Sequence, residues 1–405
     1  GTLTAEVFGC DGTIPRERGG CQERDMIARP MTVQKRDFSK RRSFPGTHNN
    51  DFDIVLRLLA VIETLPAPVF TALLFLLAWI ATLFQWGPTL GLWLFMLGDW
   101  LLLALLPQLG KSFGPPKPPA LALAILRAVF GWPSLPIMIP LQIVGTLLVI
   151  YGFWIEPHRI TVTHQALRSP KLKPGTSIKI LQLGDLHVER ITDRERQLIE
   201  LLKSIQPDLI LFSGDFLNLS YLRDPLAWEA CRWVLKKLCA PLGVYAVSGS
   251  PAVDLDDVLP TLLDGMPLRW LRDERVTIEK GGQLIDVIGL TCTHKPFIDG
   301  PRLKDLTGPN RFTILLYHSP DLAPEAAAAG IDLQFSGHTH GGQVRLPFYG
   351  ALFAGSLYGK AFESGRRQLN GLTLYVTRGI GMEGAGAPRV RFLCSPEIIV
   401  WEIDG

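Results

Sequence analysis

Two histidines, His338 and His340, sit two apart in Gly337-His338-Thr339-His340-Gly341-Gly342-Gln343, directly after the apolar run 331–335. Neutral imidazole is the commonest metal ligand near pH 7, and neighbouring glycines let backbone approach whatever the rings hold. A His-x-His pair alone reads as a polar turn. Its company changes that reading. Asp185 and His187 follow the apolar run 178–183, Asp215 follows 209–212, and His318 follows 312–317. Each has a mundane reading alone, as a turn, cap or loop residue. Together, two carboxylates and four imidazoles exceed the needs of one ion. They suit two divalent ions bridged by a carboxylate, which clamp phosphoryl oxygens and make hydroxide available near neutral pH. Hydrolysis of a phosphoester, with charge neutralised on the phosphoryl oxygens, is the chemistry such a set performs well. Aspartate with histidine favours Mn, Fe or Zn over calcium. No Ser-His-Asp order, P-loop or dinucleotide fingerprint competes.

Convergence requires the runs before these residues to be neighbouring strands. Further β-type runs occupy 244–247, 372–376 and 398–401, and 278–290 reads as a hairpin broken at Lys280-Gly281-Gly282-Gln283. Helices are expected over 192–204, where Leu198, Leu201, Leu202 and Ile205 share a stripe, over 225–238, and over 254–263 with Asp254 as cap. Alternating strands and helices predict an α/β layered sheet, and open α/β sheets gather their sites at the carboxyl ends of strands.

The 405 residues allow two or three domains. A net charge of +3 makes no case for nucleic acid, and none is expected as a partner. The mean hydropathy is +0.21, with the apolar excess in the first 155 residues. The six cysteines show no CxxC spacing, and Cys231 and Cys239 lie about two turns apart on one expected helix. Free thiols are therefore expected, which favours a reducing compartment. The chain begins with Gly, and Met26 and Met31 are alternative starts. Residues 1–57 read as a basic, disordered tail carrying Lys35, Arg36, Lys40, Arg41 and Arg42, which also signals a cytoplasmic side.

Residues 58–157 read as a transmembrane region of three or four spans, retained as anchors. Two apolar stretches run over 66–84 and 89–107, the second holding Asp99, expected to pack between helices. Residues 119–155, with Arg127 and the turn 132–136, make either two short spans or one span after an interfacial helix. With the tail inside, four spans return residues 158–405 to the cytoplasm and three leave them outside. The free cysteines favour four.

The series Asp185-x-His187, Gly214-Asp215, His318 and Gly337-His338-x-His340 resembles the calcineurin-like metallophosphoesterase superfamily. The stretches 337–347 (GHTHGGQVRLP), 374–381 (LYVTRGIG) and 390–400 (VRFLCSPEIIV) resemble its membrane-associated branch. That branch includes transmembrane proteins with a metallophosphoesterase domain, YkuE/YaeI-like phosphoesterases and UDP-2,3-diacylglucosamine hydrolases. The resemblance covers residues 158–405 and implies a four-layer α/β/β/α sandwich. It also implies that Asp185, His187 and His340 bind one metal, that His318 and His338 bind the other, and that Asp215 bridges them. The implied activity is hydrolysis of a phosphodiester or pyrophosphate bond by a metal-bound hydroxide. The implied substrate is lipid-linked or a UDP-sugar such as UDP-2,3-diacylglucosamine, and the implied location a bacterial inner or plasma membrane.

One motif departs. Where the family has Gly-Asn-His, this chain has Gly249-Ser250-Pro251. Ser250 can offer the second metal only a weak hydroxyl, and Pro251 can neither donate nor accept a proton. Losing a general acid costs roughly 10²–10⁴-fold in rate. No catalytic acid is therefore assigned. His294 is a conceivable substitute, although an isolated loop histidine is expected to be exposed. The alternative is a metal-binding pseudoenzyme, a membrane-tethered binding or regulatory module. Retention of all six other ligands favours the hydrolase. The Phe348–Tyr358 loop could give an apolar approach to the site.

Overall fold

Leucine- and isoleucine-rich runs too short for helices form two six-stranded sheets. The computed structural model describes residues 31–132 and 134–405, so residues 1–30 of the expected tail and Pro133 lie outside the described residues. The first sheet contains β1 (Thr161–Arg168), β2 (Ser177–Leu183), β3 (Leu209–Phe212), β4 (Val244–Ala246) and β5 (Arg269–Trp270). The second contains β6 (Glu274–Lys280), β7 (Gln283–Gly289), β8 (Phe312–Leu316) and β9 (Leu333–Ser336). A small ribbon, β10 (Arg345–Leu346) with β11 (Gly350–Ala351), follows. Then β12 (Gly365–Leu369) and β13 (Leu372–Val376) complete the second sheet, and β14 (Glu397–Asp404) returns to the first.

The strand orders are β1-β14-β2-β3-β4-β5 and β12-β13-β9-β8-β7-β6. In the first sheet β2 to β5 run parallel and β14 lies antiparallel to β2. In the second, β13, β9, β8 and β7 run parallel between antiparallel edges. This is a mixed α/β fold. One core lies between the sheets, where Phe335, Tyr375 and Trp401 are buried together. Helices cover the outer faces. The first sheet packs on α6 (Asp193–Ile205), α7 (Pro225–Leu235) and α8 (Leu259–Leu263), and the second on α9 (Pro296–Leu306) and α10 (Ala323–Ala328).

Helix α6 starts on a capping box: Thr192 Oγ1 accepts from the Arg194 amide, and Glu195 accepts from the Thr192 amide at 2.8 Å. The expected helix over 254–263 forms only from Leu259. Asp254 is not its cap, because that carboxylate is taken by backbone amides of other loops.

Before the sheets come α1 (Asp51–Val61) and a bundle of α2 (Ala67–Ala81), α3 (Trp86–Gln108), α4 (Lys117–Ala128) and α5 (Leu135–Ile150). Among the described residues, two helices are long and apolar enough to cross a membrane, Trp86–Gln108 and Leu135–His158. The pair formed by α1 and α2 would add a third, but it is bent by 108°. The turns ending α2 and α4 meet, since Gly131 packs against Ala81 and Leu92. Trp79, Phe84 and Trp86 cluster at this end. At the other end Lys111 pairs with Asp193 at 2.7 Å, and the Phe113 amide donates to Glu189. The bundle therefore leaves the sheets and returns to them at one end.

Asp99 is packed between helices, as its position requires, and it has a partner. Arg127 clamps it with Nε and Nη2 at 2.6 and 2.7 Å, and Nη1 reaches the Gln142 carbonyl at 2.8 Å. The expected solvated tail is packed from residue 31 onward. The Met31 amide donates to the Gln368 carbonyl, Phe38 meets Tyr358 edge-on, and Phe44 is buried. Sparse aromatic anchors hold this basic segment down where its charge pattern suggested water.

Breaking a buried ion pair leaves its partner uncompensated, at about 3–5 kcal/mol. Asp99→Ala should therefore lower the unfolding temperature in detergent far more than Asp99→Ala combined with Arg127→Leu. Equal losses would mean that the pair does not hold the bundle.

Candidate metal centre

Each of the six residues singled out in the sequence leaves the carboxyl end of a central strand: Asp185 and His187 after β2, Asp215 after β3, His318 after β8, His338 and His340 after β9. All six are brought together. Asp215 Oδ2 lies 3.3 Å from both His187 Nε2 and His318 Nε2. His187 Nε2 and His340 Nε2 are 3.0 Å apart. Asp185 accepts a hydrogen bond from the His338 amide at 2.9 Å, and His318 Nδ1 donates to the Ser213 carbonyl at 2.8 Å. That last bond directs His318 Nε2 into the centre, the usual device for orienting a metal-ligating imidazole.

The ligand atoms fall into two groups, each lying within 4.8 Å: Asp185, His187, Asp215 and His340 in one, and His294, His318 and His338 in the other. His294 corrects the expectation of an exposed loop histidine. It is 1% exposed, and its ring centroid lies 4.3 Å from that of His338. It issues from the loop after β7, an isolated residue in sequence that only the second sheet's topology brings here. Ser250 Oγ sits among the three rings, 3.1 Å from His318 Nε2, 3.2 Å from His294 Nε2 and 3.3 Å from His338 Nδ1. Pro251 lines an adjoining cleft of about 960 Å³, with Arg41, Arg42, Lys295 and Phe297.

The backbone carries the arrangement. Asp185, His187, Asp215, His294, His338 and His340 all have φ between +41° and +71°. Left-handed backbone at residues other than glycine is uncommon and concentrates at functional sites. Gly337 must lack a side chain, because a Cβ there would lie 2.5 Å from Asp185 Oδ2. Two residues outside the six hold the loops. Asp254 accepts from the Asp215, Phe216 and Gly249 amides at 2.8, 3.0 and 2.6 Å. Arg391, fully buried, donates to the carbonyls of His340, Arg378 and Gly381. Neither was legible as a site residue. Asp254 looked like a cap, and Arg391 was one letter in a matched stretch.

Burial and the mutual proximity of these groups set the electrostatics. Burial pushes Asp185 up to about 6 and His338 down to about 3, and it holds His294 and His340 well below the usual imidazole range. Burial opposes ionisation of Asp215 too, but His318 and His187 outweigh it and keep the carboxyl well below its ordinary value. Buried polar atoms ordinarily have partners. Here Asp185 Oδ2, His338 Nε2, His187 Nδ1, His294 Nδ1 and His340 Nδ1 have none. Burial opposes the charged form of His187 and His318 as well, but Asp215 outweighs it and raises both, His318 to about 9. The rings held neutral, His294, His338 and His340, and the orphaned carboxylate oxygen are what divalent ions of the Mn, Fe or Zn type bind. The donor set fits such ions.

The family model described as calcineurin-like phosphoesterase matches residues 178–342. Over 266 residues the chain is 32% identical to the uncharacterized metallophosphoesterase YkuE of Bacillus subtilis, covering 62% of this chain and 88% of that one. Over 310 residues it is 25% identical to the UDP-2,3-diacylglucosamine pyrophosphatase LpxG of Chlamydia trachomatis, covering 62% and 91%. Over 234 residues it is 29% identical to a bovine transmembrane protein with metallophosphoesterase domain, covering 52% and 50%.

Asp254→Ala would strand three buried amides, each costing about 1–3 kcal/mol. Thermal unfolding of this variant should drop sharply, and chymotryptic cleavage should move to the loops after β3 and β4, which carry Phe216, Tyr221 and Leu255. An unchanged melting curve would exclude Asp254 as their brace.

Proposed function

The chain belongs to the calcineurin-like metallophosphoesterases, and from that premise we propose a membrane-anchored, di-metal phosphoesterase that cleaves a phosphodiester or pyrophosphate bond. The observation that carries this reading is the pair of donor groups, each within 4.8 Å, on the two sides of Asp215. Asp185, His187 and His340 would hold one ion, His318, His338 and His294 the other, and Asp215 would bridge them. When bound, such ions supply Lewis acidity, neutralising phosphoryl oxygens and lowering the pKa of water.

The residues themselves do the positioning. Buried and backbone-locked, they present Nε2, Nδ1 and carboxylate oxygens without reorganisation, and their burial excludes bulk water. Ser250 adds a hydroxyl to the second group. Pro251, at the family's histidine position, offers no proton to a leaving group. That favours a phosphoanhydride, whose leaving phosphate departs as a stable anion. The name of the chlamydial relative, a UDP-2,3-diacylglucosamine pyrophosphatase, points to the same class.

Membrane attachment is supported by the two long apolar helices and by the bovine relative's name. Residues 58–157 form the anchor in this reading and 158–405 the catalytic domain. The packing of residues 31–50 on the catalytic domain supports placing both on one side, with an even number of crossings. Three spans do not meet that condition. The domain end of the bundle bears Lys111 and Lys117, and the segment before the bundle carries the basic run from Lys35 to Arg42, which favours the cytoplasmic side of a bacterial inner or plasma membrane.

The full chain in detergent should bind close to two equivalents of Mn or Zn by elemental analysis. His340→Ala and His294→Ala should each remove about one, and Asp215→Asn most of both. Unchanged stoichiometry in these variants would refute the assignment. UDP-2,3-diacylglucosamine should turn over at least ~100-fold faster than a bis-alkyl phosphodiester, the scale of a missing general acid. Equal rates would remove the argument for a phosphoanhydride.

A further inference from the structure

Helix α1 has its apolar face on the wrong side for a soluble protein. Leu56 packs inward at 4% exposed, while Ile54, Val55, Leu58 and Val61, spaced along one stripe, are 47–65% exposed. The inner face lies on the loop at Gly386, where a Cβ would meet the Leu56 carbonyl at 2.5 Å. Phe52 opens the helix by stacking on Phe353 with centroids 5.1 Å apart and planes 10° apart. Phe353 belongs to the segment after β11, and the ribbon turn beside it carries Phe348, fully exposed, and Tyr349. Lys360 adds a cation, donating to the Tyr349 carbonyl and lying over its ring. Helix and ribbon thus form one outward apolar surface with a basic edge.

Three further observations say what covers it. The surface is continuous with the bundle, whose interior cluster takes in Val390 and packs against Val344, next to the ribbon. The bend of 108° between α1 and α2 lays α1 across the bundle rather than along it. The surface also leads to the metal centre. Gly355, two residues beyond Phe353, lies against His338, with 3.5 Å between an added Cβ and Nε2. Gly46, five residues before α1, lies against His294 and Ser250. A helix crosswise to a spanning bundle, with its apolar stripe outward, has the geometry of an interfacial helix. Apolar patches of this kind mark membrane contact.

We propose that α1 and the β10–β11 ribbon form a platform seated in the bilayer interface, and that the phosphoester reaches the metal centre from the lipid surface, carried on a membrane-resident amphiphile. The platform rests on the anchoring reading, and delivery rests also on the phosphoesterase reading. The mouth of the site then faces the lipid headgroups, and the scissile group need not leave the interface to reach His338 and His294.

The test uses the full chain reconstituted in phosphatidylethanolamine–phosphatidylglycerol vesicles, with p-benzoylphenylalanine replacing Leu58 or Phe348. Irradiation should give acyl-chain adducts by mass spectrometry at both positions and none at Glu229, an exposed control on α7. Adducts missing at either position would overturn the platform. A chain washed off the vesicles by carbonate would overturn the anchoring and the platform together. For delivery, Leu58→Asp combined with Phe348→Asp should lower turnover of a lipid phosphoanhydride in vesicles at least tenfold while leaving a water-soluble phosphodiester unchanged. Equal losses on both would overturn delivery. No turnover of either by the unsubstituted chain would sink the phosphoesterase reading and delivery with it, and the adducts would still decide the platform.

Discussion

The centre depends on one constraint: groups of metal-ligand chemistry are buried beside one another, several of them with no hydrogen-bond partner in the protein. Asp215 stands between His187 and His318, but the other donors have little to bind except each other. The protein meets this by fixing the backbone. Six residues in left-handed conformation each cost on the order of 1–3 kcal/mol, which the few bonds made by the centre's own side chains offset only in part. The remainder comes from outside. Asp254 gathers three amides and Arg391 several carbonyls, locking the loops whether or not an ion is bound. A ligand that binds only the folded state then adds its own stabilisation. Loops and brace are one thermodynamic unit, to which such a ligand would be coupled.

That arrangement explains what could be read in the sequence. The strands feeding the centre announce themselves, because a buried parallel strand must be a short apolar run, and each of these runs ends in Gly-Asp, His-Ser or Gly-His. The six ligand candidates were legible for the same reason. Residues acting through the backbone were not. Asp254 binds amides and so has the signature of any capping aspartate. His294 leaves β7, whose place beside β8 is a matter of topology. The edge strands β1 and β12 were missed because their partly exposed residues lack a continuous apolar run. The basic tail misled for a different cause. Composition averages over twenty residues, whereas Phe38 and Phe44 suffice to anchor the segment once a surface exists to receive them.

The path of that segment has a consequence for the anchor. Residues 31–61 precede the bundle in sequence yet lie over the loops that form the centre, with Gly46 against Ser250 and His294. The chain covers its site before it enters the helices and builds the site after it leaves them. Such closure is compatible only with a bundle that begins and ends on one face. Counting apolar stretches alone left three or four spans open. The packing of Gly46 against Ser250 and His294 keeps the segment before the bundle beside the domain after it, and under the proposed anchoring that calls for an even number of crossings.

Closure also bears on the chemistry. All the ligand groups except the partly exposed His338 are buried, so charges developing on a phosphoryl group would be met largely by fixed dipoles in a low dielectric instead of by water. In such a site the cost of a missing acid depends on the leaving group. An alkoxide expelled without a proton carries nearly a full charge into that environment, and the penalty is the roughly 10²–10⁴-fold that a positioned acid supplies. A phosphate expelled from an anhydride spreads its charge over several oxygens and needs no proton near neutral pH. In the proposed reading, proline at position 251 therefore restricts which bonds the centre would break. Its place beside a cleft lined by Arg41, Arg42 and Lys295, cations suited to a departing phosphate, turns the same way.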